Sequence, residues 1–264
     1  MVNNRNGTWR KLKTVKTALD VIEALIDLNG ASVTEVTEYV GRSKSTIHSQ
    51  LSTLCEAGYL VKRNGEYHLS FQFLLLGEYV RNNNVLYQFG QSIADDLASQ
   101  TGHYAHLFCA EDGHGVNVYE AQGQQAGNYE YQSLKLQQRE PLHVTAAGKV
   151  LLANYTKERV SDIIRLQGLD QWTTNTITDR DELFDELETI RDQGYAINDE
   201  EEIDGFRAVA SPIRVGGDEV IGSVSVSGPL TYFSDDRIQN ELPELVKSAA
   251  GMIEVEINMS NRKS

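Results

Sequence analysis

Ser43-Lys44-Ser45-Thr46-Ile47-His48-Ser49-Gln50-Leu51-Ser52-Thr53-Leu54-Cys55-Glu56-Ala57 is the stretch from which the rest of the chain can be read. Ile47, Leu51 and Leu54 recur at i, i+4 and i+7 and share one helical face, with Ser45, Ser49, Ser52 and Glu56 on the other. The spacing predicts a short amphipathic helix. Val40-Gly41-Arg42 supplies a turn before it, and Ser43 is a suitable N-cap because its hydroxyl can accept from a free backbone N–H. The outward face carries small hydroxyls, with His48 on its flank and Gln50 nearby, in place of Glu/Lys pairs. Another polymer can approach such a face closely.

Upstream, Ser32-Val33-Thr34-Glu35 has the form of a capping box and predicts a helix from Val33 to about Val40. Helix, glycine turn, helix is the helix-turn-helix order, in which the second helix enters the DNA major groove. Downstream, residues 58–69 read as strand, Asn64-Gly65 turn, strand, since Asn-Gly suits the positive-φ positions of a type I′ hairpin. That hairpin is the expected wing, with Lys62 and Arg63 placed to meet phosphates.

Thr14-Val15-Lys16-Thr17-Ala18-Leu19-Asp20-Val21-Ile22-Glu23, Lys44-Ser45-Thr46-Ile47-His48 and Leu54-Cys55-Glu56-Ala57-Gly58-Tyr59-Leu60 resemble the DNA-binding domain of the isocitrate lyase regulator (IclR) family. Pro141-Leu142-His143-Val144-Thr145-Ala146-Ala147-Gly148-Lys149-Val150-Leu151-Leu152-Ala153, Gly194-Tyr195-Ala196-Ile197-Asn198-Asp199-Glu200-Glu201 and Ser225-Val226-Ser227-Gly228-Pro229 resemble its effector domain. The resemblance runs from about Val15 to about Ile257. It implies a transcriptional regulator that binds double-stranded operator DNA and assembles as a homodimer or homotetramer. It also implies control by a small-molecule effector, an organic acid or sugar-derived metabolite.

At 264 residues the chain can hold two domains, each with its own core. It contains no run of 18 apolar residues and no apolar leader after the first charge, so a cytoplasmic protein with no membrane association is expected. Cys55 and Cys109 fall in stretches assigned to different domains and are read as small core or half-buried residues. The net charge of −14 looks wrong for a partner of a polyanion, but its distribution answers this. Residues 1–63 carry nine basic and six acidic groups, so the acidity lies in the remainder. Such an acidic, lysine-poor remainder also resembles proteins adapted to high salt.

In chain order, a helix is expected from about Val15 to Leu28, with Ala18, Leu19, Ile22, Leu25 and Ile26 as its apolar stripe and Asn29-Gly30 as its stop. Residues 69–80 are too apolar for a solvated linker, and the resemblance implies a helix that joins the domains and helps to form a dimer. Arg81-Asn82-Asn83-Asn84 marks the boundary. Beyond it the pattern predicts helices over 85–99, 143–155, 157–166 and 179–193, strands over 104–110, 115–121, 206–215 and 220–227, and a last helix from Ser234 or Asp235. The fold class is therefore α+β: a winged helix-turn-helix domain (1–69), a linker helix (70–84) and an effector-binding domain (85–264), for which the resemblance implies a GAF-like fold.

Ser45, Thr46, His48, Ser49 and Gln50 are the expected groove contacts, and Gln50 can pair bidentately with adenine or simply flank the packed face. Arg10, Lys11, Lys13, Lys44, Lys62 and Arg63 are the expected phosphate contacts. Ser49 stands where the IclR family often has Arg. Thr145-Ala146-Ala147-Gly148-Lys149 opens a helix and offers backbone N–H groups to an anion; it is not a P-loop, because the first Gly is absent and Val150 replaces Ser or Thr. The resemblance implies that this turn binds the effector's carboxylate, and its site residues fall on Ala146, Ala147, Asn198, Phe206, Ala208, Ser225 and Ser227, with Thr145 beside them. Asn198 and Ala208 depart from the family's frequent Asp and Cys, which should change the molecule that fits.

His103, His106 and Cys109 cannot chelate one ion through one strand, since six residues span about 20 Å, and neither a metal nor a cofactor is expected. Glu200-Glu201-Glu202 with Asp204 reads as an exposed solvated run. Neither Gly-x-Ser-x-Gly nor His-Glu-x-x-His occurs, so an enzyme is not expected. A metabolite-binding protein that acts through protein partners, with the N-terminal domain as a dimer arm, is the alternative.

Overall fold

The computed structural model describes residues 12–127, 139–217 and 219–261. The chain divides into two units between Val80 and Arg81.

In the first unit, α1 (Lys13–Asp27), α2 (Val33–Val40) and α3 (Lys44–Glu56) precede a hairpin of β1 (Leu60–Arg63) and β2 (Glu66–Leu69), followed by α4 (Gln72–Asn82). The capping box forms: the Ser32 N–H donates to Glu35 at 2.8 Å, and the Glu35 N–H donates back to the Ser32 hydroxyl at 3.4 Å. Gly41, at φ 67°, closes α2 in the left-handed conformation and turns the chain into α3. Asn64 and Gly65 both have positive φ, as the expected hairpin turn requires. Val21, Ala24, Leu25, Val36, Ile47, Leu51, Leu60 and Tyr67 form one small core, and burial of a side chain such as Ile47 or Leu51 contributes about 1.5–3 kcal/mol. Paired backbone bonds between Ala31 and Tyr67 fasten the hairpin to the helices.

The face of α1 differs from the expected stripe. Thr17, Val21, Ala24 and Leu25 are buried, while Leu19 and Ile26 are more than half exposed. Two apolar rows run along this helix, and periodicity alone merges them. The linker expected over 70–84 is mostly α4, and the division between the units falls inside it.

The second unit is built on one antiparallel sheet ordered β5-β4-β3-β8-β7-β6. Its strands are β3 (Tyr104–Glu111), β4 (His114–Gln122), β5 (Glu140–Pro141), β6 (Ala196–Asp199), β7 (Phe206–Val215) and β8 (Glu219–Pro229). On one face, α5 (Val85–Thr101) and α9 (Leu242–Asn261) pack against Leu107, Val209, Val224 and Val226. On the other, α6 (Ala146–Ala153), α7 (Lys157–Gln167) and α8 (Arg180–Gln193) pack against Phe108, Ala208 and Ala210. Leu107 and Phe108 thus feed opposite layers, as strand alternation dictates.

The helix expected over 143–155 is two elements: a 3₁₀ turn over Leu142–Val144, then α6 after an extended Thr145. Ala196–Asp199 forms an edge strand that four residues of sequence do not reveal. The last helix begins with a π-type turn over Arg237–Glu241.

Candidate functional site: a helix face and a buried cavity

On α3, Ile47 and Leu51 point into the core, which turns Lys44, Ser45, Thr46, His48 and Ser49 to solvent; Gln50 is half-buried. The Ser43 hydroxyl accepts from the Thr46 N–H at 3.3 Å and lies 2.8 Å from the Thr46 hydroxyl, which fixes the first turn. Ser49 donates its hydroxyl to the Ser45 carbonyl at 3.0 Å, keeping that side chain close to the helix. On the hairpin, Arg63 is exposed beside the turn, and the Lys62 ammonium sits 4.9 Å from the centroid of the Tyr67 ring, so the stem of an exposed cation is anchored. Lys13 is exposed at the start of α1. Arg10 and Lys11 lie outside the described residues.

In the second unit, a cavity of about 20 Å³, room for about one water, lies between the sheet and the N-terminus of α6. Thr145 caps α6 by accepting the Gly148 N–H on its hydroxyl at 2.9 Å. The N–H groups of Ala146 and Ala147 belong to the first turn, which has no intrahelical acceptor for them. Gly148 permits this arrangement, since a Cβ there would lie 2.2 Å from the Leu142 carbonyl oxygen.

The sheet supplies the floor. His106 and Phe108 of β3, Ser225 and Ser227 of β8, and Ala208 of β7 line the cavity, with Thr145, Ala146 and Ala147 above them. His106 Nε2 lies 2.9 Å from the Ser227 hydroxyl, and Nδ1 lies 3.5 Å from a Glu120 carboxylate oxygen. A one-residue bulge in β4 pairs Leu107 with Tyr119 but Phe108 with Asn117. Asn117 and Glu120, three apart, therefore both face the cavity side, where plain alternation would separate them.

Two of the expected effector residues stand apart from the cavity lining. Asn198 donates its amide N–H to the Val144 carbonyl at 2.8 Å and accepts the Glu201 N–H at 2.9 Å, which ties β6 to the 3₁₀ turn. Phe206 is half-buried at the start of β7, opposite Pro229. Lys149 does not line the cavity: its ammonium is buried and bonded to Glu201 at 2.6 Å and Glu186 at 3.1 Å. The solvated reading of the glutamate run needs correction, because Glu201 and Glu202 are 6% and 8% exposed. Glu202 lines the cavity, and burial pushes the Glu201 carboxyl above its usual range against the pull of Lys149.

Sequence reasoning passes over His106, Asn117, Glu140 and Glu202 as lining residues. His106 carries a signal, as a histidine in an apolar strand, but one that points first to a metal ligand. His103 is fully buried between Tyr232 and Phe233. Among the described residues no group of three His, Cys, Asp or Glu is placed to hold a metal ion, and no helix is long and apolar enough to cross a membrane.

Residues 14–64 match the family described as IclR helix-turn-helix domain, and residues 77–255 match Bacterial transcriptional regulator IclR C-terminal. The probable HTH-type transcriptional regulator ArcR of Halobacterium salinarum is 37% identical over 254 residues, spanning 96% of each chain. The solved IclR of Thermotoga maritima is 26% identical, with a TM-score of 0.75 over 94% of this chain and 99% of its own. An IclR homologue from Microbacterium hydrocarbonoxydans, solved with 4-hydroxybenzoate, shares the fold at a TM-score of 0.79 and 19% identity, over 95% of this chain and 100% of that one.

Proposed function

Because this chain belongs to the IclR family of transcriptional regulators and is not an enzyme, we propose that a small metabolite bound in its C-terminal cavity controls its attachment to operator DNA. The observation that carries this reading is a cavity in which a helix N-terminus and a polar sheet face converge. Thr145, Ala146, Ala147, Ala208, Ser225 and Ser227 meet the effector, with Asn198 and Phe206 shaping its surroundings. The relative solved with 4-hydroxybenzoate carries a small organic acid, which supports a ligand bearing a carboxylate here.

On DNA, Ser45, Thr46, His48, Ser49 and Gln50 of α3 face base edges. Lys13, Lys44, Lys62 and Arg63, with Arg10 and Lys11 before them, neutralise phosphates. The chain works in the cytoplasm as a homodimer or a tetramer, a reading supported by the apolar side chains left exposed before and along α1 (Leu12, Val15, Leu19, Ile26) and before and along α4 (Phe71, Leu74, Leu75, Tyr79, Val80). Paired domains then read two half-sites. The effector shifts operator affinity only through the difference in its own affinity for the two states, and a coupling of about 1–3 kcal/mol gives roughly a 5–150-fold change.

The test is titration of operator DNA with the full chain in the presence of a panel of small metabolites. At least one should change the affinity by about fivefold or more. No change across the panel, with operator binding intact, would count against metabolite control.

A further inference from the structure

The cavity at the start of α6 has room for one water, about 20 Å³, whereas pockets that enclose a drug-sized ligand run to about 300–1,000 Å³. We propose that this is the closed form of the effector site, shut around a single ordered water that stands where one oxygen of the effector's carboxylate comes to lie; this rests on metabolite control through the same cavity.

Two side chains point to the water independently of the helix. Asn117 of β4 and Ser225 of β8 line the cavity, are 8% and 5% exposed, and make no side-chain hydrogen bond among the described residues. They flank β3 on either side, Asn117 paired with Phe108 and Ser225 with His106. A buried polar group left without a partner costs about 1–3 kcal/mol. An amide and a hydroxyl turned into one small space therefore need an occupant that both donates and accepts.

The first turn of α6 supplies a third partner, because the N–H groups of Ala146 and Ala147 have no intrahelical acceptor. A buried water makes two to four hydrogen bonds. Here it accepts from an α6 N–H, donates to the Ser225 hydroxyl and bonds the Asn117 amide. Cavities that stay dry are lined by apolar side chains, which this one is not. Water is also neutral, so the site places no demand on Glu140 and Glu202, which line the same cavity.

A carboxylate oxygen can accept the N–H bond that the water accepts, so its displacement keeps that bond. The remainder of a metabolite has no space until the walls part. It therefore binds the widened form and not the closed one, and such a difference in affinity is what lets a ligand shift an equilibrium.

The test is a high-resolution crystal structure of the full chain, grown without carboxylate buffers, beside that of Ser225→Ala. The wild type should show one water about 2.7–3.2 Å from Ser225 Oγ and from at least one of the Asn117 amide and an α6 N–H. Its refined occupancy should fall by about twofold or more in Ser225→Ala, which removes one of its few partners. Asn117→Leu replaces that variant if its melting curve shows loss of folding. Crystals grown with a metabolite that alters operator affinity should lose the water and show an enlarged cavity. A cavity without ordered density, an anomalous peak there after a rubidium chloride soak, or a metabolite bound with the water retained would each overturn the proposal. A water in place while no metabolite alters operator affinity would instead remove metabolite control and leave the water site standing.

Discussion

Lys149 and Glu201 meet inside the C-terminal unit with Nζ 2.6 Å from the carboxylate, although 52 positions separate them in the chain. This pair sets the turn that follows β6. The Asp199 N–H donates to the Glu201 carboxylate at 3.3 Å, Thr176 donates its hydroxyl to the Glu201 carbonyl at 2.6 Å, and Glu202 is thereby held at the cavity wall. The lysine of the expected anion-binding turn serves as an internal strut.

Removing one partner of such a buried pair leaves the other charge uncompensated, which typically costs about 3–5 kcal/mol. Lys149→Met should destabilise the C-terminal unit by that amount in urea unfolding. Combining it with Glu201→Gln should recover a substantial part, because the buried carboxylate is then gone as well.

Asn198 uses both ends of its amide, donating to Val144 and accepting from Glu201. An aspartate there keeps the acceptor and sets a second oxygen against the Val144 carbonyl. Asn198→Asp should cost about 1–3 kcal/mol, the cost of an unsatisfied buried group, measured as a fall in thermal midpoint at neutral pH.

His103 is fully buried, with no hydrogen-bond partner for either ring nitrogen among the described residues, and burial followed by the Arg237 charge holds its pKa below the usual value. The folded state thus favours neutral imidazole, so its contribution to stability is complete above the unfolded pKa of about 6.5 and declines as pH falls below that value. His143, depressed mainly by burial, adds in the same direction. Stability of the C-terminal unit should therefore fall as pH drops from about 6.5 to about 5, and His103→Phe should flatten the decline in a series of denaturation curves.

Lys44 and Arg63 are exposed at the start of α3 and beside the hairpin turn. If each neutralises one phosphate, Lys44→Ala and Arg63→Ala should each weaken operator binding and reduce the log–log salt slope by about 1. A slope unchanged by either substitution would remove these two residues from the phosphate contacts.

The N-terminal unit is legible in detail because its signals are local. The Ser32 capping box, the Gly41 turn, the Ser43 cap and the Asn64-Gly65 hairpin each act over a few neighbouring residues and stand at the expected positions. Local signals make the cavity legible only at Thr145 to Ala147, where a helix start announces it; Ala208, Ser225 and Ser227, which also line it, are expected only through the family resemblance. Asn117 reaches that wall because of a bulge that no alternation pattern encodes, and Glu140 and Glu202 because of strand order. The Glu200 to Glu202 run misleads for a related reason: a carboxylate's partner can lie far away in sequence, as Lys149 does, and charge density alone then reads as solvation.

Genome-wide occupancy by chromatin immunoprecipitation, followed by binding of the purified chain to the recovered fragments at several salt concentrations, tests the regulator reading most directly. Discrete promoter sites sharing an inverted repeat, bound specifically and with a steep salt dependence, are the predicted result. Absence of enrichment across growth conditions, with no specific binding in solution, would contradict it.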